Sequence, residues 1–115
     1  MTERITASLV DLERELTAHA QGAKQVFLRN QDTPTNITQV AYGTFSKADY
    51  CEMHAHPTME ECFFFLKGAG IYIVNNQEIE LHEGVFVRIP AGFPHRLEAT
   101  GEVPLEYVYF GVATV

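Results

Sequence analysis

Among the side chains between positions 54 and 95, four could hold one metal ion together: His54, His56, Glu61 and His95. His54 and His56 are two residues apart, so on a strand both imidazoles point to one face. Pro57 and Thr58 then interrupt the strand and reset the alternation before Glu61. On the run that follows, Glu61, Phe63 and Phe65 share one face, while Cys62, Phe64 and Leu66 take the other. A carboxylate among phenylalanines is costly unless it is paired or bound to a cation. His95 follows the corner Pro90-Ala-Gly-Phe-Pro94 and begins a strand of its own. Three imidazoles and a carboxylate make a mixed nitrogen and oxygen set. It suits divalent Fe, Mn, Ni, Zn or Cu and leaves positions open for water or substrate. Glu60 competes with Glu61 for the carboxylate role. A lone histidine pair at this spacing is a weak signal, so the surrounding elements must decide.

Those elements read as short strands rich in Val, Ile, Phe, Tyr and Thr, over 25–29, 36–45, 52–56, 61–67, 71–75, 78–81, 85–89, 95–99 and 105–112. Asn75-Asn76 marks a tight hairpin, because asparagine tolerates positive φ. Gly68, Gly84, Gly92 and Gly101 with Pro104 mark further corners. Strands at this density without intervening helices predict a sandwich or closed barrel. Ahead of them, Ser8 as an N-cap, Leu9, Leu12, Leu16 and Ala20 at helical spacing, and Gly22 as a stop predict a short helix. The expected organisation is a helical arm over 1–24, acting as a lid or packing arm, and an all-β barrel over 25–115.

Bulk properties narrow the partners. Fifteen acidic against eight basic residues give −7, which excludes the surplus of Lys and Arg that a nucleic-acid binder needs. An apolar share of 46% is ordinary for a globular chain of 115 residues. The apolar run Phe63-Phe64-Phe65-Leu66 is far shorter than the ~20 residues that span a bilayer. The sequence Met1-Thr-Glu-Arg lacks an export leader, so a cytoplasmic protein with Cys51 and Cys62 as free thiols is expected.

The two clusters together resemble the cupin superfamily. The first motif reads His54-Ala-His56, four residues, Glu61, six residues, Gly68; the second reads Gly84, five residues, Pro90, Ala, Gly92, Phe-Pro, His95. Ala48 replaces the glycine that opens the first motif, and Ala99 replaces the asparagine that closes the second. The resemblance implies a double-stranded β-helix, or jelly-roll. It also implies a divalent transition metal (Fe, Mn, Ni or Zn) on His54, His56, Glu61 and His95, and a homodimer. Glu61 suits the carboxylate role through its distance to Gly68, while Glu60 remains the alternative.

Around that centre, Phe63, Phe65, Val87 and Leu97 are the expected pocket lining, and Tyr109 and Glu60 the candidate acid or base. Arg88 is expected on the outer face. Tyr107 shares the face of Tyr109, and His19 and His82 are expected at the surface. Cupins host many chemistries, so the fold leaves the reaction open. The leading expectation is a metalloenzyme acting on a small oxygen-rich, carbohydrate-derived metabolite by isomerase- or lyase-type chemistry. An Fe-dependent dioxygenase and a non-catalytic binding or sensing module are the alternatives.

Overall fold

The computed structural model describes residues 4–17 and 22–115. Among them, strand succeeds strand: β1 (Glu15–Leu16), β2 (Ala23–Arg29), β3 (Ile37–Phe45), β4 (Met59–Lys67), β5 (Gly70–Val74), β6 (Gln77–Leu81), β7 (Phe86–Ile89), β8 (His95–Ala99) and β9 (Leu105–Ala113). They form a six-stranded sheet in the order β1-β2-β3-β9-β4-β7 and a three-stranded sheet in the order β6-β5-β8. Every pairing is antiparallel.

Alternation along the strands builds a core between the two sheets. Phe63 and Phe65 of β4, Leu105, Tyr107 and Tyr109 of β9, and Val87 and Ile89 of β7 turn inward from the larger sheet. Tyr72, Val74 and Leu97 meet them from the smaller one. Phe63 and Tyr72 touch edge to face across the gap, with ring centroids 5.2 Å apart.

Two backbone positions show why particular residues stand where they do. Asn75 and Asn76 both adopt positive φ (49° and 69°), as a tight hairpin turn between β5 and β6 requires. Gly43 on β3 leaves room for the Tyr107 ring, which a Cβ at that position would overlap.

The N-terminal helix is not formed. Leu9–Asp11 makes one 3-10 turn, and Ser8 provides no side-chain cap. Glu15–Leu16 instead pairs with Lys24 and Ala23 at the sheet edge. The Gln25 amide donates to Leu9 O (2.9 Å) and Leu12 O (3.0 Å), taking carbonyls that a helix would have used internally. Leu16 stays 81% exposed and Leu9 and Leu12 are only half-buried, and so short a helix has little stability of its own. Ala20, expected in that helix, and His19 lie outside the described residues.

The expected strand over 52–56 is also replaced. His54 makes a single antiparallel bridge with His95, through His54 N to His95 O (3.0 Å) and His95 N to His54 O (2.8 Å). Pro57 follows immediately and has no N–H with which to extend a ladder.

Phe65 has no measurable exposure and packs against Tyr72 and Tyr107. Phe65→Ala should lower the unfolding free energy by about 3–5 kcal/mol. Urea denaturation would measure the loss, and a change under about 1 kcal/mol would contradict this account of the core.

Candidate metal centre

Three imidazoles converge from two directions. His54 and His56 come from the segment ahead of β4, and His95 opens β8. Their ring centroids lie 5.0 Å (His54–His56), 4.3 Å (His54–His95) and 5.4 Å (His56–His95) apart. One nitrogen from each ring falls within 4.8 Å of the others.

Backbone carbonyls fix which nitrogen faces the centre. His54 Nδ1 lies 2.8 Å from Glu52 O, and His95 Nδ1 lies 2.8 Å from Phe93 O. A carbonyl only accepts, so each Nδ1 carries the proton and each Nε2 keeps its lone pair. Such carbonyl contacts orient and strengthen imidazoles as metal ligands.

The three histidines form the convergent group, and Glu61 of β4 approaches two of them. Its Oε1 stands 3.4 Å from His56 Nε2 and 3.5 Å from His95 Nε2. Donors held at about 2.0–2.2 Å from one ion stand roughly 3.0–3.5 Å apart when adjacent. The Glu61 distances are of that size. Burial raises the Glu61 pKa, but contacts with His56 and His95 in their protonated form outweigh it and bring it down to about 2; with the rings neutral, a bound cation would take the place of that positive charge. The carboxylate is therefore ionised at neutral pH and available as an anionic ligand.

The clearest sign of fit lies on His95. Its side chain is 1% exposed, and its buried Nε2 has no hydrogen-bond partner among the described residues. A buried nitrogen left this way costs free energy, and a bound cation would satisfy it. These residues fit a divalent transition metal held by nitrogen and carboxylate donors.

Glu60 has a different setting. It lies on the outer side of β4, where Arg88 Nε donates to its Oε1 (2.5 Å) and Arg88 Nη2 to its Oε2 (3.1 Å). Those bonds lower the Glu60 pKa, with burial opposing only in part. The structure does not bring Glu60 to the histidines, and neither Glu60 nor Arg88 lines the cavity.

A cavity of about 380 Å³ opens beside the histidines. Of the expected lining residues Phe63 and Leu97 stand in its wall, as does Tyr109, the candidate acid or base. Phe65 and Val87 do not; they sit in the closed core. Tyr109 stacks on Phe63 with a centroid separation of 5.0 Å and an interplanar angle of 6°. Burial and the nearby Glu61 charge push the Tyr109 pKa up, against a hydrogen bond from Gln39 that pulls it down. Its hydroxyl thus stays protonated around neutrality and serves as a donor, not a base. Burial likewise raises the Tyr107 pKa.

Sequence reasoning did not place Tyr72, Gln39 or Lys24 in the cavity wall, where all three stand. Strand alternation offered a signal for Gln39, which is two residues from the fully buried Ala41. Lys24 offered none, because a lysine near a strand end reads as solvent-facing. Cys51, also in the wall, is a free thiol, as is Cys62 on the other side of β4.

Residues 41–111 match the family model described as a cupin domain. An uncharacterized protein of Methanocaldococcus jannaschii is 37% identical over 54 residues, which is 47% of this chain and 43% of that protein. The match therefore spans less than half of that relative's length. A solved structure described as a predicted oxalate decarboxylase from Thermotoga maritima has a TM-score of 0.84 at 17% identity, covering 95% of this chain and 99% of that one. The polyketide cyclase RemF from Streptomyces resistomycificus has a TM-score of 0.80 at 15% identity, covering 96% of this chain and 80% of that one. At these identities the likeness is one of fold. No helix among the described residues is long and apolar enough to cross a membrane.

The site predicts a sharp contrast between neighbours in sequence. Glu61→Gln and His95→Ala should weaken zinc or manganese binding by at least about 100-fold, the upper end of losses caused by removing mere supporting residues. Glu60→Gln should bind as the parent does. Titration calorimetry on metal-stripped protein would measure all three, and equal losses for Glu60→Gln and Glu61→Gln would refute the assignment.

Proposed function

The chain belongs to the cupin family, and from that premise we propose a metal-dependent enzyme acting on a small oxygen-rich, carbohydrate-derived metabolite by isomerase- or lyase-type chemistry. One observation carries this reading: the unsatisfied Nε2 of His95 is faced by Glu61, which together with His54 and His56 lines a cavity large enough for a small molecule. His54, His56, Glu61 and His95 would hold the metal. A divalent cation bound there supplies Lewis-acid charge that polarises substrate oxygens.

The remaining work falls to the chain's own groups. Glu52 O and Phe93 O keep the His54 and His95 rings from turning. Phe63, Tyr72 and Leu97 form an apolar wall that limits water, which strengthens every charge interaction within. Tyr109 retains its proton and donates to a substrate oxygen as negative charge develops there. Oxalate and polyketides, in the descriptions of two structural neighbours, are oxygen-rich compounds, which supports the substrate class.

We expect turnover of keto-sugars or sugar acids by the Mn- or Zn-loaded protein without dioxygen. Tyr109→Phe should reduce kcat by about 10²–10⁴-fold. Chromatographic assay of a substrate panel under nitrogen tests this. Turnover only with Fe and dioxygen would replace the reading with a dioxygenase. A ligand that raises the melting temperature yet is recovered unchanged would replace it with a binding module.

We further propose that a second copy of the chain covers the outer face of the six-stranded sheet. Phe64 of β4, Phe86 of β7 and Val108 of β9 are cross-strand neighbours there, and Cys62, Arg88 and Phe110 form the next row. Phe64 (45% exposed), Leu66 (38%), Phe86 (59%) and Phe110 (37%) leave on the order of 300 Å² of apolar side chain in water. That is a substantial part of the ~800 Å² each partner buries in a standard interface. The Glu60–Arg88 pair at the margin of this face can exchange partners across a two-fold axis, matching opposite charges between copies. Light scattering should give twice the chain mass, and Phe86→Lys should halve it with the circular dichroism spectrum retained. A monomer at 100 µM, a concentration of the order used for weak dimers, would overturn the proposal.

A further inference from the structure

The wall of the cavity formed by β2, β3 and β9 carries a cation that the proposed metal centre does not use. Lys24 lines the cavity and is paired across the strands with Gly43, the position that faces the Tyr107 ring. Its side chain therefore points to the inner side of the sheet. Lys24 Nζ donates to Gln39 Oε1 at 3.1 Å, a neutral acceptor. Gln39 also stands beside Tyr109 in the cavity wall and draws its pKa down. With its oxygen committed to Lys24, Gln39 presents its amide N–H to the Tyr109 oxygen, leaving the tyrosine proton free to be donated elsewhere.

Charge counting gives this string a purpose. The chain carries −7 overall, yet Glu61 is the one carboxylate among the described lining residues. Lys24 is the one Lys or Arg among them. Glu15, the cross-strand neighbour of Lys24, has its carboxylate bound to Arg29 Nη2 at 2.5 Å. No ion pair reaches Lys24 among the described residues. Among the described residues its hydrogen bond goes to a neutral amide, and an oxyanion would compensate the ammonium charge at close range.

We propose that Lys24, held by Gln39, is a specificity-determining residue that receives an oxyanion group of the substrate remote from the atoms that meet the metal. The substrate class is then an acidic metabolite with a chelating oxygen pair at one end and a negative group at the other. This inference rests on the metal-centred reading above. Apolar and aromatic walls between the two ends suit a short carbon chain spanning them. Tyr109, touching Gln39 on one side and Phe63 on the other, stands within that span.

The test compares two chelators on the Zn-loaded protein by titration calorimetry: acetohydroxamate, and glutaric acid monohydroxamate, which adds a carboxylate tail. In the parent the tail should improve affinity about tenfold, roughly one charge-assisted hydrogen bond. Lys24→Met should abolish that gain while leaving acetohydroxamate affinity unchanged, which also confirms an intact fold. Lys24→Arg should keep part of the gain, and added salt should reduce it in the parent. An equal gain in parent and Lys24→Met, or no gain in the parent, overturns the role of Lys24 while the metal reading stands. Failure of both hydroxamates to bind zinc-loaded protein overturns the metal reading and this inference together.

Discussion

A buried imidazole nitrogen must be satisfied, and the architecture of this protein is arranged around that requirement at His95. Its Nδ1 meets Phe93 O, its backbone pairs with His54, and its Nε2 is left facing Glu61. The backbone bridge explains why His54 sits where it does although no strand surrounds it. Two hydrogen bonds between His54 and His95 bring together residues far apart in sequence, and the rings follow. Ring orientation is then set by carbonyls, which accept from Nδ1 of His54 and His95 and turn the other ring nitrogen of each toward the centre.

The electrostatics of the interior follow from the same centre. The Glu61 carboxylate sits close to a cluster of tyrosines and helps keep their hydroxyls protonated. A protonated phenol beside an ionised carboxylate gives the cavity donors on one side and acceptors on another. The aromatic rings between them supply rigidity at little entropic cost, since Phe and Tyr have few rotatable bonds. Glycine at position 43 belongs to this arrangement too, because the space it leaves is filled by the Tyr107 ring.

Much of this was readable in the residues. Alternation along β4 separated Glu61, Phe63 and Phe65 from Cys62, Phe64 and Leu66, and the burial of Phe63 and Phe65 against the exposure of Phe64 and Leu66 follows the same division. Glycine and proline corners located the strand ends, and Asn75-Asn76 announced its turn. The N-terminal segment was misread because helical spacing of Leu9, Leu12 and Leu16 is a local signal. A sheet edge and the Gln25 amide competed for the same backbone groups and won. Choosing between Glu60 and Glu61 needed the inside of the barrel to be known, and adjacent carboxylates on a strand always face opposite ways. Phe65 and Val87 share a face with lining residues but lie deeper, a distinction that periodicity does not carry. Lys24 escaped notice because nothing local tells a lysine that reaches inward from one that reaches outward.

The four donors do not belong to one structural layer. Glu61 rides on the larger sheet, His95 on the smaller, and His54 and His56 on the segment that joins β3 to β4. An ion gripped by all of them would act as a rivet through both layers, and unzipping either sheet would mean surrendering it. Cohesion of the barrel would then be a function of the surrounding medium: each tenfold rise in available cation above half-saturation would add about 1.4 kcal/mol to the cost of coming apart. The same chain would be supple where the ion is scarce and stiff where it is plentiful.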